Sequence, residues 1–321
     1  NKCPYCDFNS HIYEKKSSEK KYVDSLILDL EKSLPLIWGR KIYTIYIGGG
    51  TPSLLSKKEL DRFFSSLRSL LLLDSNSEIT IEANPSDVDE EKLKFYSEIG
   101  INRISLGIQS FNDSHLKSLG RIHDGDQSRK SIEISKLWLK NVNIDLMYGL
   151  PDQTLIESIN DLKIAIKYDI NHISLYNLTI EPNTFFSKYP PKLPSHNLNA
   201  DMDEILNKIL LENSFEKYEV SAFSKKKYES KHNYNYWEFG DYLGIGAGAH
   251  SKLSFSNKVL RQAKFKNPES YIKNSFMGNA LVEQLKLDKK SISFEFMLNA
   301  LRLTKGFNIN LFTRRTGLSI K

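Results

Sequence analysis

Cysteine is the scarcest informative residue of this chain: its 321 residues contain two, Cys3 and Cys6, side by side near the start. That count excludes a disulfide framework and points to a reducing, cytoplasmic setting. Long apolar runs are also missing. None approaches the ~20 residues that a bilayer-spanning helix needs, and the opening residues carry no signal-peptide pattern. No transmembrane segment is therefore expected. The lysines behind the formal charge of +6 are scattered, apart from clusters at Lys15 to Lys21 and Lys225 to Lys231. These read as solvated faces, and no aromatic-interleaved basic stripe argues for nucleic acid. What is present is a balance of 40% hydrophobic and 26% charged residues, enough to fill a large core. One large domain with a smaller one fits that length. The chain opens on Asn1 rather than Met, and it closes on Thr316 to Lys321. Both ends are expected to continue in the natural protein.

Extended runs recur along the chain: Ile42 to Ile47, Glu78 to Glu82, Arg103 to Ile108, Val142 to Met147, His172 to Tyr176 and, more weakly, Tyr218 to Ser221. Amphipathic helical patterns lie between and around them. Tyr22, Leu26, Leu30 and Leu34 repeat every fourth residue. Ser56 with Glu59, and Thr154 with Glu157, have the form of capping boxes. Strand–helix–strand repetition predicts a parallel α/β sheet, closed or open. Past the proline-rich Lys188 to Pro194 the repetition stops. Residues 191–321 are expected to form a smaller, α-rich C-terminal region, with helices at Met202 to Leu211 and at Phe294 to Leu303, the latter ended by Gly306.

The pair Cys3-Pro4-Tyr5-Cys6 lets two thiolates reach one metal or cluster. Spacing alone leaves zinc, a redox dithiol and iron–sulfur open. Gly48-Gly49-Gly50-Thr51-Pro52 ends a strand with backbone that a ligand can approach. Glu82 ends the next strand, at the end where parallel sheets bind ligands, though such an acid can equally cap a helix. Gln109 ends another strand, and Arg121 lies in Leu119 to His123. Asp145 stands inside an apolar strand, where a carboxylate is costly without a partner.

The residues from Asn1 to Ser10 resemble the tail of the cluster motif of radical S-adenosylmethionine (SAM) enzymes, C-x-x-x-C-x-x-C. The GGGTP, Glu82-Ala83-Asn84-Pro85, Gln109, Arg121 and Asp145 segments follow in that family's order. The resemblance is to the oxygen-independent coproporphyrinogen oxidase-like group. It implies that Cys3 and Cys6 hold a [4Fe–4S] cluster with a third cysteine two residues upstream of Asn1. It also implies that SAM chelates the fourth iron. Gly49, Gly50 and Thr51 are then expected to receive the SAM amino group, with Glu82, Gln109, Arg121 and Asp145 around the rest of the cofactor. The implied fold is a partial (β/α)6 TIM-like barrel over residues 1–190, its mouth covered by the region that follows.

Two features narrow the group. The oxidases of the family carry a further cysteine two residues after the third cluster cysteine, where this chain has Phe8. His232-Asn233-Tyr234-Asn235-Tyr236-Trp237 matches the H-N-x-x-Y-W motif of the group's haem chaperone branch. By that resemblance His232 binds haem, and the chain passes it to an acceptor protein of the respiratory type. An imidazole suits a haem iron, and Tyr236 and Trp237 could pack on the macrocycle. The rival reading is an enzyme, the oxidative decarboxylation of coproporphyrinogen III, against which Phe8 and the His232 motif both count. A radical methyltransferase would need a second SAM site, and a plain metal or dithiol module would need only Cys3 and Cys6. The alternate glycines of Leu243 to Ser251 fail as a dinucleotide fingerprint and receive no chemistry.

Overall fold

The computed structural model describes residues 3–7, 9, 11 and 16–320, the side chains of 16–18 excepted. Phe8 and Lys15, both used in reading the sequence, lie outside the described residues. The chain forms two compact units that alternate along it. The first takes Asn1–Ser10, Tyr46–Leu54 and Glu78–Glu229; the second takes His11–Ile45, Leu55–Ser77 and Ser230–Lys321.

The elements begin with α1 (Lys16–Ile37), β1 (Lys41–Ile47), α2 (Lys57–Leu70), β2 (Leu72–Ala83), α3 (Glu90–Glu98) and β3 (Arg103–Gln109). Next come α4 (Asp113–Ser118), α5 (Gly125–Trp138), β4 (Asn141–Tyr148), α6 (Leu155–Lys167) and β5 (His172–Asn177). They continue with α7 (Phe185–Lys188), α8 (His196–Glu212), β6 (Glu216–Glu219), β7 (Ala222–Ser224) and α9 (Lys231–Trp237). The last are β8 (His250–Phe255), β9 (Lys258–Lys264), α10 (Pro268–Phe276), β10 (Leu281–Lys286), α11 (Lys289–Ala300) and α12 (Ile309–Thr316).

Among the described residues seven strands form one sheet in the order β1-β2-β3-β4-β5-β7-β6. The steps from β2 to β5 are parallel, and β7 runs antiparallel to both β5 and β6. This is the α/β sheet expected from the strand–helix repetition. The weak sixth run becomes a hairpin, β6 and β7, rather than a single strand. Its second arm is the one that pairs with β5.

Side chains alternate across these strands with period two. Ile104, Leu106 and Ile108 of β3, Val142, Ile144 and Leu146 of β4, and Ile173 and Leu175 of β5 are all buried. Helix α5 packs against β3 and β4, and α6 against β4. The intervening positions are polar: Ser105 and Gln109, Asn143 and Asp145, His172 and Ser174. Parallel register lines these up, since Glu82 pairs with Ser105, Ser105 with Asn143, and Asn143 with His172. A polar row therefore crosses four strands of the sheet, and it is the framework of the site described below.

Of the two expected capping boxes, one forms complete. Thr154 and Glu157 exchange both bonds at the start of α6. At α2 only half forms: Ser56 Oγ accepts from the Glu59 amide at 3.4 Å. The Glu59 carboxylate is taken by Arg62 instead, at 2.6 and 2.9 Å, and Glu19 accepts from the Ser56 amide in its place.

In the second unit α1 packs on α2 and α10. A three-stranded antiparallel sheet, β10-β9-β8, joins these helices. The sequence reading had only a polar aromatic stretch and a glycine-rich turn in this part of the chain. Phe296 of α11 is fully buried and meets Phe239, Phe307 and Phe312 edge-on, with centroids 4.9 to 5.8 Å apart. Helix α11 stops at Ala300 rather than at the expected Leu303; Leu301 caps it, and Gly306 (φ +64°) turns the chain later. Beneath the alternate glycines lies a buried network. The Ala247 amide donates to Tyr22 Oη at 3.3 Å and the Gly246 amide to Tyr271 Oη at 3.0 Å. Tyr271 in turn donates to Asp29 at 2.9 Å, and Asp29 is paired with Lys264 at 2.5 Å. Among the described residues no helix is long and apolar enough to cross a membrane.

Candidate functional site

The thiol loop is a tight turn in which the Cys6 amide donates to the Cys3 carbonyl at 3.2 Å. Both thiols are half-buried. The loop is fastened at its middle, because the Phe186 amide donates to the Pro4 carbonyl at 3.0 Å. The Pro4 ring lies over Gly120, where a Cβ would come within 2.8 Å of Pro4 Cδ. Gly120 also has φ +66°, so glycine is required there twice over. Arg121 follows directly. Its Nη1 lies 3.6 Å from Cys3 Sγ, and its Nη2 donates to Asn84 Oδ1 at 2.7 Å and to the Gly107 carbonyl at 2.8 Å.

Asn84 is held by Asp87, which also accepts from Ser53 Oγ at 3.1 Å. The arginine is thus tied through Asn84 and Asp87 to the turn that follows Thr51 and Pro52. Gly49 and Gly50, immediately before Thr51, have φ +78° and +63°. Thr51 is half-buried, and its carbonyl accepts from the Leu54 amide at 3.1 Å. The Glu82 carboxylate is gripped on both oxygens, by Tyr46 Oη at 2.8 Å and by the Gly49 amide at 3.1 Å. Loss of water raises its pKa, and these two bonds only partly offset that effect.

Gln109 is a non-glycine residue at φ +66°, where the β3–β4 register breaks. A left-handed glutamine at a strand end is uncommon, and such positions concentrate at functional sites. Gly107 makes the room: a Cβ there would stand 3.1 Å from Gln109 Nε2 and 3.2 Å from Arg121 Nη2. Asp145 accepts from Ser105 Oγ at 2.9 Å and from Asn143 Nδ2 at 2.8 Å. Burial nonetheless raises its pKa, with the Ser105, Ser174 and Asn143 bonds opposing. Behind it Asn143 Oδ1 meets His172 Nδ1 at 2.5 Å, and His172 Nε2 meets Tyr218 Oη at 2.8 Å. Burial holds His172 far below its ordinary pKa, so it is neutral. Asn143 Oδ1 can only accept, so Nδ1 carries the proton and Nε2 accepts from Tyr218.

The first unit therefore brings together Cys3, Cys6, Gly49, Gly50, Thr51, Glu82, Gln109, Arg121 and Asp145. Two carboxylates with raised pKa values, an amide and an arginine fork can meet hydroxyls and an ammonium on one side and a carboxylate on the other. Among the described residues no three His, Cys, Asp or Glu side chains gather into a metal site by themselves. Tyr46, Asn84, Ser105, Gly107, Asn143 and His172 were not singled out from the sequence. For Ser105, Asn143 and His172 the signal was available: each is a polar residue in an apolar strand, the test applied there to Asp145 alone.

His232 belongs to the second unit, on α9, which Ser230 caps. Its Nδ1 lies 2.9 Å from Thr44 Oγ1, and its ring meets Tyr236 edge-on at 5.0 Å. Tyr236 in turn meets Tyr242 at 4.4 Å. Trp237 lies under the Arg302 guanidinium at 4.4 Å. Of the lysines nearby in sequence, Lys225 belongs to the first unit and pairs with Asp169.

Comparison with known proteins gives these arrangements a family. The profile of the radical SAM superfamily matches residues 1–162. The protein called Heme chaperone HemW from Haemophilus influenzae is 44% identical, covering 99% of this chain and 84% of that protein. Its namesake from Escherichia coli is 42% identical, covering 99% and 83%. Among solved structures, coproporphyrinogen III oxidase (HemN) from Escherichia coli, a radical SAM enzyme, superimposes with a TM-score of 0.84. It shares 22% identity over 98% of this chain and 76% of its own, a likeness of fold. The chain belongs to the radical SAM superfamily and, within it, to the family of the HemW heme chaperones.

Proposed function

We propose that this chain is a cytoplasmic haem chaperone that binds haem through His232 and delivers it to an acceptor protein of the respiratory type. The observation that carries the reading is the setting of His232. Its imidazole is half-buried and fixed at one nitrogen by Thr44 and along one edge by Tyr236. A single oriented imidazole beside aromatic rings suits a haem iron and its macrocycle. The names of the 44% and 42% identical relatives support the same function.

In this reading Cys3 and Cys6 are two of the thiolate ligands of a [4Fe–4S] cluster. Both stand half-buried in one turn, a donor set that fits such a group. Gly49, Gly50, Thr51, Glu82, Gln109, Arg121 and Asp145 hold SAM. Arg121 faces its carboxylate, and Glu82 and Asp145 accept from its hydroxyl and amino groups. When bound, the cluster supplies one-electron chemistry next to SAM. The superposition on coproporphyrinogen III oxidase, at 22% identity, speaks for the fold and not for that activity.

Haem titration of the full-length protein and of a His232→Ala variant, followed by absorption spectroscopy, tests this reading. Stoichiometric binding that is lost or spectrally altered in the variant supports it. If neither protein takes up haem the reading falls, and coproporphyrinogen turnover becomes the assay to run.

A further inference from the structure

Arg121 is oriented by a chain of side chains whose polarity is fixed by their chemistry, and every member lies in the first unit. Both Nη2 hydrogens have acceptors, Asn84 Oδ1 at 2.7 Å and the Gly107 carbonyl at 2.8 Å. The plane of the guanidinium is thereby set, with Nη1 3.6 Å from Cys3 Sγ and the Tyr5 hydroxyl interacting with the same group. Asn84 has one admissible orientation. An arginine can only donate and a carboxylate can only accept, so Oδ1 faces Arg121 and Nδ2 donates to Asp87 Oδ2 at 2.9 Å. A reversed amide would set its NH2 group against the guanidinium and its oxygen against the carboxylate. Asp87 Oδ2 also accepts from Ser53 Oγ at 3.1 Å, and Oδ1 accepts from Ser86 Oγ at 3.3 Å. The backbone of this turn is held separately. The Asp87 amide donates to the Asn84 carbonyl at 2.9 Å, and Lys92 Nζ donates to the carbonyls of Asp87 and Ser53 at 2.6 and 3.1 Å. These bonds keep the turn in shape without the Asp87 carboxylate, which is left to orient the Asn84 amide.

We propose that Asp87 is a positioning residue that makes the site selective for a carboxylate-bearing ligand: it fixes the Asn84 amide and, through that amide, holds the Arg121 fork in place for the carboxylate. This rests on the SAM reading of Arg121. Pairing of an arginine with a carboxylate depends on the plane of the fork. A fork released from Asn84 therefore loses affinity for the carboxylate end of a ligand and leaves its nucleoside end untouched. Asp87→Ala removes the acceptor, whereas Asp87→Asn keeps one in its own Oδ1.

The experiment uses the full-length, cluster-reconstituted protein, the two Asp87 variants, Arg121→Lys and the double variant Asp87→Ala with Arg121→Lys. Equilibrium dialysis measures the affinity of each for SAM and for decarboxylated SAM, which keeps the nucleoside, sulfonium and amine but lacks the carboxylate. Asp87→Ala is expected to bind SAM about three- to tenfold more weakly, with decarboxylated SAM unchanged and Asp87→Asn near wild type for both. Because the effect passes through Arg121, Asp87→Ala should add little to Arg121→Lys in the double variant. Equal weakening of both ligands, or a full additive loss in the double variant, would show a merely structural part for Asp87 and overturn the proposal. Unchanged SAM binding in Asp87→Ala, with Arg121→Lys still weakened, would also overturn it and leave the SAM reading standing. Wild-type SAM affinity in Arg121→Lys would remove both together. Should Asp87→Ala fail to fold, Asp87→Ser, whose hydroxyl is too short to reach Asn84, carries the same comparison with the same deciding outcomes.

Discussion

Arg121 Nη1 points at Cys3 Sγ across 3.6 Å, while Nη2 of the same guanidinium is bonded to Asn84 and to the backbone of Gly107. One fork thus links the thiol loop to the ends of β2 and β3. The arrangement needs a planar, multiply donating group, which a lysine ammonium cannot reproduce.

Arg121→Lys should therefore weaken SAM binding by about 10- to 100-fold, the cost of a lost charge-assisted bond of about 1.5–3 kcal/mol. Equilibrium dialysis of SAM against the cluster-reconstituted protein measures it. Wild-type affinity in the variant would remove Arg121 from the proposed SAM site.

Asn143 sits at the centre of the polar row, donating to Asp145 and Ser105 and accepting from His172. Asn143→Ala leaves His172 Nδ1–H, which is fully buried, without its acceptor. A loss of about 1–3 kcal/mol is expected from the urea unfolding midpoint at pH 7. A change within error would show that the row can rearrange around the gap.

His123 is buried, donates Nε2–H to the Ile108 carbonyl at 3.2 Å and is pushed down to about 4, by burial first and by Arg121 second. An unfolded histidine titrates near 6.5, so the folded state binds fewer protons between these values. Stability from this group is complete above pH 6.5 and is lost as pH falls towards 4. The expected loss is about 3 kcal/mol relative to His123→Gln, read from urea unfolding at several pH values across that window. Parallel pH profiles for the two proteins would contradict it.

The Asp29–Lys264 pair is almost inaccessible, with side chains 2% and 3% exposed. Lys264→Met strands the Asp29 charge, and a loss of about 3–5 kcal/mol is expected in thermal or urea unfolding. Asp29→Leu combined with Lys264→Met should recover much of that loss, because no unpaired charge remains. A double variant as unstable as the single one would mean that Tyr271, which also bonds Asp29, depends on the pair.

Much of the fold was legible because it is written in local periodicity. The runs at Arg103 to Ile108, Val142 to Met147 and His172 to Tyr176 became β3, β4 and β5 within a residue or so at each end. Thr154 and Glu157 began α6 as their spacing implied. Ser56 and Glu59 did not complete their box, because Arg62 and Glu19 compete for the same groups. Glu19 is 37 positions away from Ser56, so no local pattern could reveal it. The sheet of β8, β9 and β10 escaped notice for a related reason. The strand β10 is mostly exposed, so it lacks the alternation that marks a half-buried strand.

The site divides in the same way. Sequence alone determined the residue types and their order: the paired thiols, the glycine turn, an acid in an apolar strand, and a histidine in an aromatic segment. Each is chemically conspicuous where it stands. Only the tertiary structure decided what each one touches. Arg121 meets Cys3 across 118 positions, and Thr44 meets His232 across 188. Parallel register set Glu82, Ser105, Asn143 and His172 in one row. Hydrogen bonds act over about 3 Å of space whatever the separation along the chain, so the partners that tune a group are fixed by packing and register, not by local pattern.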